Sequence, residues 1–241
     1  MTANVKRRHG PFLRDHEHSL RTQMNVRIRV MQHMHRFAGR LVVMTYILTC
    51  GWTTAAAQSH VAPPSAVVCD ACHGYKGEGL PALNGPRLGG LQAWYVERQL
   101  KNFKAGIRGG DPADVNGGQM KTIAASLATD GSIREAAAFV SNLTPPTPKH
   151  SIQGSVERGK ILFGTCAACH GPGGEGQEST QAPRLQGSND WYVVRQLEAF
   201  RAGRRGSDSR DTYGQQMRAI ALTLPDEQAL RDVAAYIGTL E

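Results

Sequence analysis

Apolar residues recur at helical spacing along much of this chain, and no stretch alternates apolar and polar positions as a half-buried strand would. Residues 92–105 and 189–202 place Trp, Leu and Phe along one side, which predicts two amphipathic helices. Leu230, Val233, Ile237 and Leu240 predict another over 226–240, with Asp226 as its N-cap. Ile133, Ala136, Val140 and Leu143 repeat the pattern earlier in the chain. A further helical stretch, Val156-Glu157-Arg158-Gly159-Lys160-Ile161-Leu162-Phe163, puts Gly159 and Phe163 one turn apart on one face. A glycine there admits the close approach of another helix. The class predicted is all-α.

These elements come in pairs at one fixed offset. Cys69 and Cys166 are 97 residues apart, and His73/His170, Pro86/Pro183, Arg87/Arg184, Trp94/Trp191, Tyr95/Tyr192, Gln99/Gln196, Phe103/Phe200 and Met120/Met217 keep that offset without a gap. A period this long is the size of a small domain, not of a solenoid repeat. Thr144-Pro145-Pro146-Thr147-Pro148 separates the copies, and its prolines predict a stiff, extended connector. The expected division is 1–57 as an N-terminal extension, 58–146 as a first domain and 147–241 as a second. Pro63 and Pro64 stand where the second copy has its leading helix, so that helix should be truncated in the first. The pair Gly159/Phe163 becomes Ala62/Ala66.

The formal net charge of +8 points first to nucleic acid or a membrane surface. Its location argues against both. Residues 1–57 hold nine Lys/Arg against two Asp/Glu, which leaves 19 basic and 18 acidic side chains in the rest. In the extension, Arg36 and Arg40 precede the apolar run 41–48, and Ala55-Ala56-Ala57 follow it. That order reads as a secretory signal peptide cleaved near Ala57, which implies the periplasm. The run is short for a membrane span. Cys50 falls inside it and is expected to be lost, since Thr49 is a poor match to a lipidation site. The other four cysteines leave no pair for a disulfide framework.

Those four form Cys69-Asp70-Ala71-Cys72-His73 and Cys166-Ala167-Ala168-Cys169-His170. Two thiols spaced in this way can form thioethers to the two vinyl groups of a haem, and the adjacent imidazole then reaches the iron. Zinc would need a fourth ligand that neither copy offers, and a redox dithiol would need a βαβ pattern that is missing. After Ala57 the chain has two methionines, Met120 and Met217, each 47 residues beyond its motif histidine. Each follows a segment read as a Gly- or Gln-rich loop, Gly117-Gly118-Gln119 and Gly214-Gln215-Gln216. A thioether sulfur as second axial ligand favours the ferrous state and leaves no open coordination position. The expected set is therefore two covalent haem c groups on Cys69, Cys72, Cys166 and Cys169, with His73, Met120, His170 and Met217 on the irons. Pro86 or Pro183 could present a carbonyl to the histidine, Arg87 and Arg184 could pair haem carboxylates, and Trp94, Tyr95, Trp191 and Tyr192 are read as core or haem-wall residues. His60 and His150 are read as surface residues.

The tandem motifs, the Pro-Arg-Leu segments, the Trp-Tyr…Gln-Leu…Phe helices and the Gly-Gln-Met or Gln-Gln-Met segments resemble the cytochrome c4 family over residues 66–241. These are dihaem members of the class I cytochromes c. The resemblance implies two tandem class I domains with haem edges near each other. It also implies a periplasmic protein delivering single electrons to a terminal oxidase. The alternative is a haem subunit that accepts electrons from a periplasmic dehydrogenase. Expected partners are an oxidase, a cytochrome complex or a dehydrogenase, with peripheral membrane association and no nucleic acid. Catalysis at a haem would need an open, bis-His or Cys-ligated iron, for which these residues do not provide.

Overall fold

A computed structural model describes residues 61–240, and in them one helical arrangement occurs twice. The first copy has a 3-10 turn at Val67–Cys69 running into the short α1 (Asp70–His73), then α2 (Ala93–Lys104), α3 (Val115–Ala125) and α4 (Asp130–Ser141). The second has α5 (Val156–His170), α6 (Asp190–Arg201), α7 (Thr212–Leu222) and α8 (Glu227–Gly238). Among the described residues no strand forms, and only the isolated bridges Leu80–Gly85 and Gln177–Ala182 pair extended backbone. No helix among them is long and apolar enough to cross a membrane. The expected signal segment, Cys50 and His60 lie outside the described residues.

Side chains start these helices where free N–H groups need acceptors. Asp226 Oδ1 accepts from Ala229 N–H at 2.6 Å, as its N-cap role predicts. Thr129 and Ser132 form a reciprocal capping box at α4. Asp114 and Asp211 accept from the N–H groups of Gly117 and Gly214, each at 3.0 Å. Those caps overturn one sequence expectation. Gly117, Gly118 and Gln119, and likewise Gly214, Gln215 and Gln216, are helical residues and not loops before the methionines. The glycines cost helix propensity, but Gly109 and Gly206 press their backbones against Gly117 and Gly214, where a side chain would not fit.

The second copy is closed by α5 crossing α8. Gly159 lies against the Asp232 carbonyl and the Tyr236 side chain, so its missing Cβ sets the approach. Phe163, carried one turn on, packs with Leu197, Phe200, Leu230, Val233 and Ile237 in the core. Asp232, only 1% exposed, fastens the crossing. It accepts from Ser155 N–H, Gln228 Nε2 and Arg158 Nη1, each at 2.8 Å. Burial works to raise its pKa, yet these donors outweigh burial and hold the carboxyl below its ordinary value.

The first copy lacks this clasp, as Pro63 and Pro64 predict. The turn at Val67–Cys69 and the four residues of α1 replace a helix of 15 residues. Ala66 fills the place of Phe163, and the buried core is Val96, Ala137, Val140 and Leu143 with Leu88, Leu91, Leu100 and Phe139 around it. The uncovered side of α4 has turned polar: Glu135 stands where Asp232 does, and Ser65 Oγ donates to it at 2.6 Å. The connector is pinned as well as stiff. Pro145 is buried against Gly89, and the Pro146 carbonyl accepts from Arg87 Nη1 at 2.9 Å.

Two outcomes follow for stability. Gly159→Ala should lower the unfolding free energy in urea by about 1–3 kcal/mol, the usual cost of overpacking. Asp232→Asn tests the clasp against pH. Because the folded carboxyl titrates below its unfolded value, the wild type's advantage should be constant from neutrality to about pH 5. It should shrink as pH falls below about 4. An advantage undiminished at pH 2 would show that charge plays no part.

Candidate functional site

Each CxxCH motif lies on a helix that ends at its histidine. Cys166 and Cys169 are one turn apart near the end of α5, and Cys72 lies in α1 one turn on from Cys69, which closes the preceding 3-10 turn. Cys69 and Cys166 are half-buried, and burial pushes each thiol up to about 11. Cys72 and Cys169 are exposed. None of the four is in a disulfide, and the buried thiols of Cys69 and Cys166 stay protonated near neutrality, which suits covalent addition and not a thiolate role.

The histidines are almost entirely buried, at 6% exposure for His73 and 4% for His170. In each, Nδ1 is 2.7 Å from a backbone oxygen 13 residues on, that of Pro86 for His73 and of Pro183 for His170. A carbonyl only accepts, so Nδ1 carries the proton and Nε2 keeps its lone pair. Burial lowers both imidazole pKa values, against the opposing effect of the carbonyl bond. The rings are thus neutral, oriented, and left with one coordinating nitrogen, which is the state a metal ligand requires. Chain turns complete the frame: Gly79 N–H donates to the His73 carbonyl and Gly176 N–H to that of His170, each at 2.8 Å.

Met120 and Met217 occupy matching positions in α3 and α7 and are half-buried. Met217 packs against the second core. The capping aspartates and the helical glycines fix the register of both methionines by the same contacts. The two thioethers differ in surroundings, since Met217 packs on the core of its copy and Met120 is not part of the first core.

The copies pack together, as the resemblance implies, but the residues that join them were not expected from sequence. Arg108 Nη2 donates to Tyr192 Oη at 2.8 Å and to Gln196 Oε1 at 3.0 Å, while its Nη1 donates to Gln99 Oε1 at 2.8 Å. Arg205 mirrors it, donating to Tyr95 Oη at 3.2 Å, Gln99 Oε1 at 3.1 Å and Gln196 Oε1 at 2.7 Å. Both guanidiniums are buried, and each is stacked on a phenylalanine of its own copy. Further out, Arg98 reaches Gln181 at 2.6 Å and Arg195 reaches Asn84 at 2.8 Å. Asn84 and Gln181 each hold a left-handed φ of 57° at the corner that meets the other copy. The surface is isologous: the same residues face each other across a pseudo-dyad. Trp94, Tyr95, Trp191 and Tyr192 are half-buried, and the tyrosine hydroxyls serve the partner copy's arginines. Burial works to raise the Tyr95 hydroxyl's pKa, but Arg205 and Arg108 outweigh it and hold it below its ordinary value. Arg87 donates to the Gly89 and Pro146 carbonyls. His150 is exposed, beside Gly238.

These features fit a haem in each copy. Beyond the prepared imidazoles, four buried donors have no acceptor among the described residues: Arg98 Nε, Trp191 Nε1, Arg205 Nε and Arg218 Nε. A group that brings carboxylates answers such donors. Sequence reasoning named Gln99 and Gln196 only as repeat partners and missed Arg108 and Arg205. The signal was there, since each pair keeps the 97-residue offset and both glutamines interrupt apolar helix faces.

Comparison with known proteins gives a consistent picture. The Cytochrome c family model matches residues 156–241. Cytochrome c4 of Azotobacter vinelandii is 32% identical over 212 residues, covering 82% of this chain and 98% of that protein. The thiosulfate dehydrogenase electron acceptor of Stutzerimonas stutzeri (strain A1501) is 33% identical over 187 residues, covering 75% of this chain and 83% of that protein. The solved structure of Acidithiobacillus ferrooxidans cytochrome c4 superposes with a TM-score of 0.58 at 31% identity, covering 71% of this chain and 98% of that one.

Arg108→Met removes donors from Tyr192, Gln99 and Gln196 at once. It should cost about 1–3 kcal/mol and split a single heat-unfolding endotherm into two. One endotherm at an unchanged midpoint would show that the network does not join the copies.

Proposed function

The chain belongs to the cytochrome c4 family, dihaem electron-transfer proteins with two covalently bound haem c groups, and from that membership we propose which residues hold those groups and where the electrons go. Cys69 and Cys72 anchor the first haem and Cys166 and Cys169 the second. His73 and Met120 ligate the first iron, His170 and Met217 the second. The observation that carries this reading is the pair of buried imidazoles with Nδ1–H committed to a proline carbonyl at 2.7 Å.

Each haem, when bound, supplies an iron that gains or loses one electron. The protein's part is to make that exchange easy. The carbonyl bond fixes the ring of His73 or His170, so Nε2 need not reorient between redox states. The soft sulfurs of Met120 and Met217 favour the ferrous state and raise the potential. With a histidine and a methionine holding each iron, no place on it would be left for substrate, so electron transfer is the activity. We divide the described chain into a first domain ending near Pro146 and a second beginning at Thr147, one haem to each.

The protein carries single electrons in the periplasm between respiratory donors and a terminal oxidase. A second reading has it accept electrons from a periplasmic dehydrogenase. The similarity to a thiosulfate dehydrogenase electron acceptor, at 33% identity over 75% of this chain, favours that donor class.

Met120→Ala and Met217→Ala, expressed with a haem-attachment system, test the ligand set. Each should remove about half of the sulfur-to-iron charge-transfer band and lower the potential of one haem. Unchanged spectra and titrations in both variants would overturn the assignment.

A further inference from the structure

One peptide group in each copy is bonded from both sides. The Pro86 carbonyl faces His73 Nδ1 at 2.7 Å, and the N–H of that same peptide, on Arg87, donates to Asn189 Oδ1 at 2.7 Å. Asn189 belongs to the other copy. The second copy repeats the arrangement: the Pro183 carbonyl faces His170 Nδ1 at 2.7 Å, and Arg184 N–H donates to Gln92 Oε1 at 3.0 Å.

Three observations show that this crossing is built. Asn189 and Gln92 stand at the N-cap positions of α6 and α2, where a polar side chain ordinarily bonds its own helix. Neither makes a cap bond, because each reaches across the interface instead. Asn189 is 6% exposed, and its Nδ2 is 3.5 Å from the Glu78 carbonyl, as Gln92 Nε2 is 3.1 Å from that of Glu175. Gly79 and Gly176 clear the space, since a Cβ at Gly79 would stand 2.6 Å from Asn189 Oδ1 and one at Gly176 would stand 2.5 Å from Gln92 Nε2.

We propose that Asn189 and Gln92 are crossed positioning residues, each setting the basicity of the histidine in the other copy through the shared peptide. This rests on the reading that His73 and His170 ligate iron. An acceptor on a peptide N–H pushes electron density onto its carbonyl, since hydrogen bonds in series polarise one another. The carbonyl then takes the imidazole proton more strongly, and Nε2 becomes a stronger donor to the metal. A stronger donor favours the ferric state and lowers the potential. Asn189 therefore tunes the first haem, and Gln92 the second.

The test uses the full chain with both haems attached, labelled with 15N-histidine and reduced. The Nδ1–H resonances of His73 and His170 are followed together with the two potentials. Loss of one methionine methyl signal in Met120→Ala assigns the haems. Wild-type protein must first show both Nδ1–H signals on low-spin haems, and their absence would overturn the ligand reading before any variant is compared. Asn189→Ala should move the His73 signal upfield and raise the first haem's potential, leaving the second unchanged. Gln92→Ala should do the reverse, and Asn189→Gln should restore wild-type values. Asn189→Asp, with the same shape and a stronger acceptor, should move the His73 signal downfield and lower the first potential. It serves also if the alanine variant fails to assemble. A shift in the variant residue's own copy, equal shifts in both, or none would overturn the proposal.

Discussion

The bond from a buried histidine Nδ1–H to a proline carbonyl 13 residues on is the constraint on which both sites depend. It ties the end of the motif helix to the far side of a glycine-rich loop. It fixes the tautomer, since the carbonyl can only accept. It also places one peptide group between the histidine and the other copy of the fold. Satisfying the buried imidazole, closing the loop and presenting Nε2 are consequences of one bond.

The second constraint is electrostatic. Arg108 and Arg205 share two glutamine oxygens and so lie within a few ångströms of each other. Two like charges about 4 Å apart repel by roughly 4 kcal/mol at an effective dielectric constant near 20. The acceptors around them are neutral: Gln99, Gln196, Tyr95 and Tyr192. Among the described residues every ion pair lies elsewhere, on Lys101, Arg158 and Arg210. Carboxylates act on the interface arginines only from a distance, Asp114 on Arg108 and Asp211 on Arg98.

Much of this was legible in the sequence because it is periodic. Helical spacing predicted α2, α6 and α8 to within a residue or two and the apolar face of α4, Asp226 announced its cap, and Pro63–Pro64 announced the missing helix. The 97-residue offset separated residues that matter twice from residues that matter once. The failures share a cause. Gly117-Gly118-Gln119 read as a loop because glycine disfavours helix, whereas the capping Asp114 side chain and the Gly109 backbone leave Gly117 no room for a side chain. Asn189 and Gln92 sit at positions where local chemistry predicts a cap, so their reach across the interface was hidden behind a plausible local role. What sequence could not show in each case was a contact made between segments that no local pattern links.

The pinned connector has a consequence for how such a pair of folds can diverge. A self-complementary surface on separate chains associates only above some concentration, and every copy must keep every contact. Joined by a short proline segment fastened at Gly89 and Arg87, the partner is always present at a high local concentration. The interface then needs to outweigh only a small residual freedom. One copy can give up its leading helix, as the first has done, while the other remains whole and keeps it in register. Tethering relaxes symmetry from a requirement of assembly into an inheritance each side can spend separately.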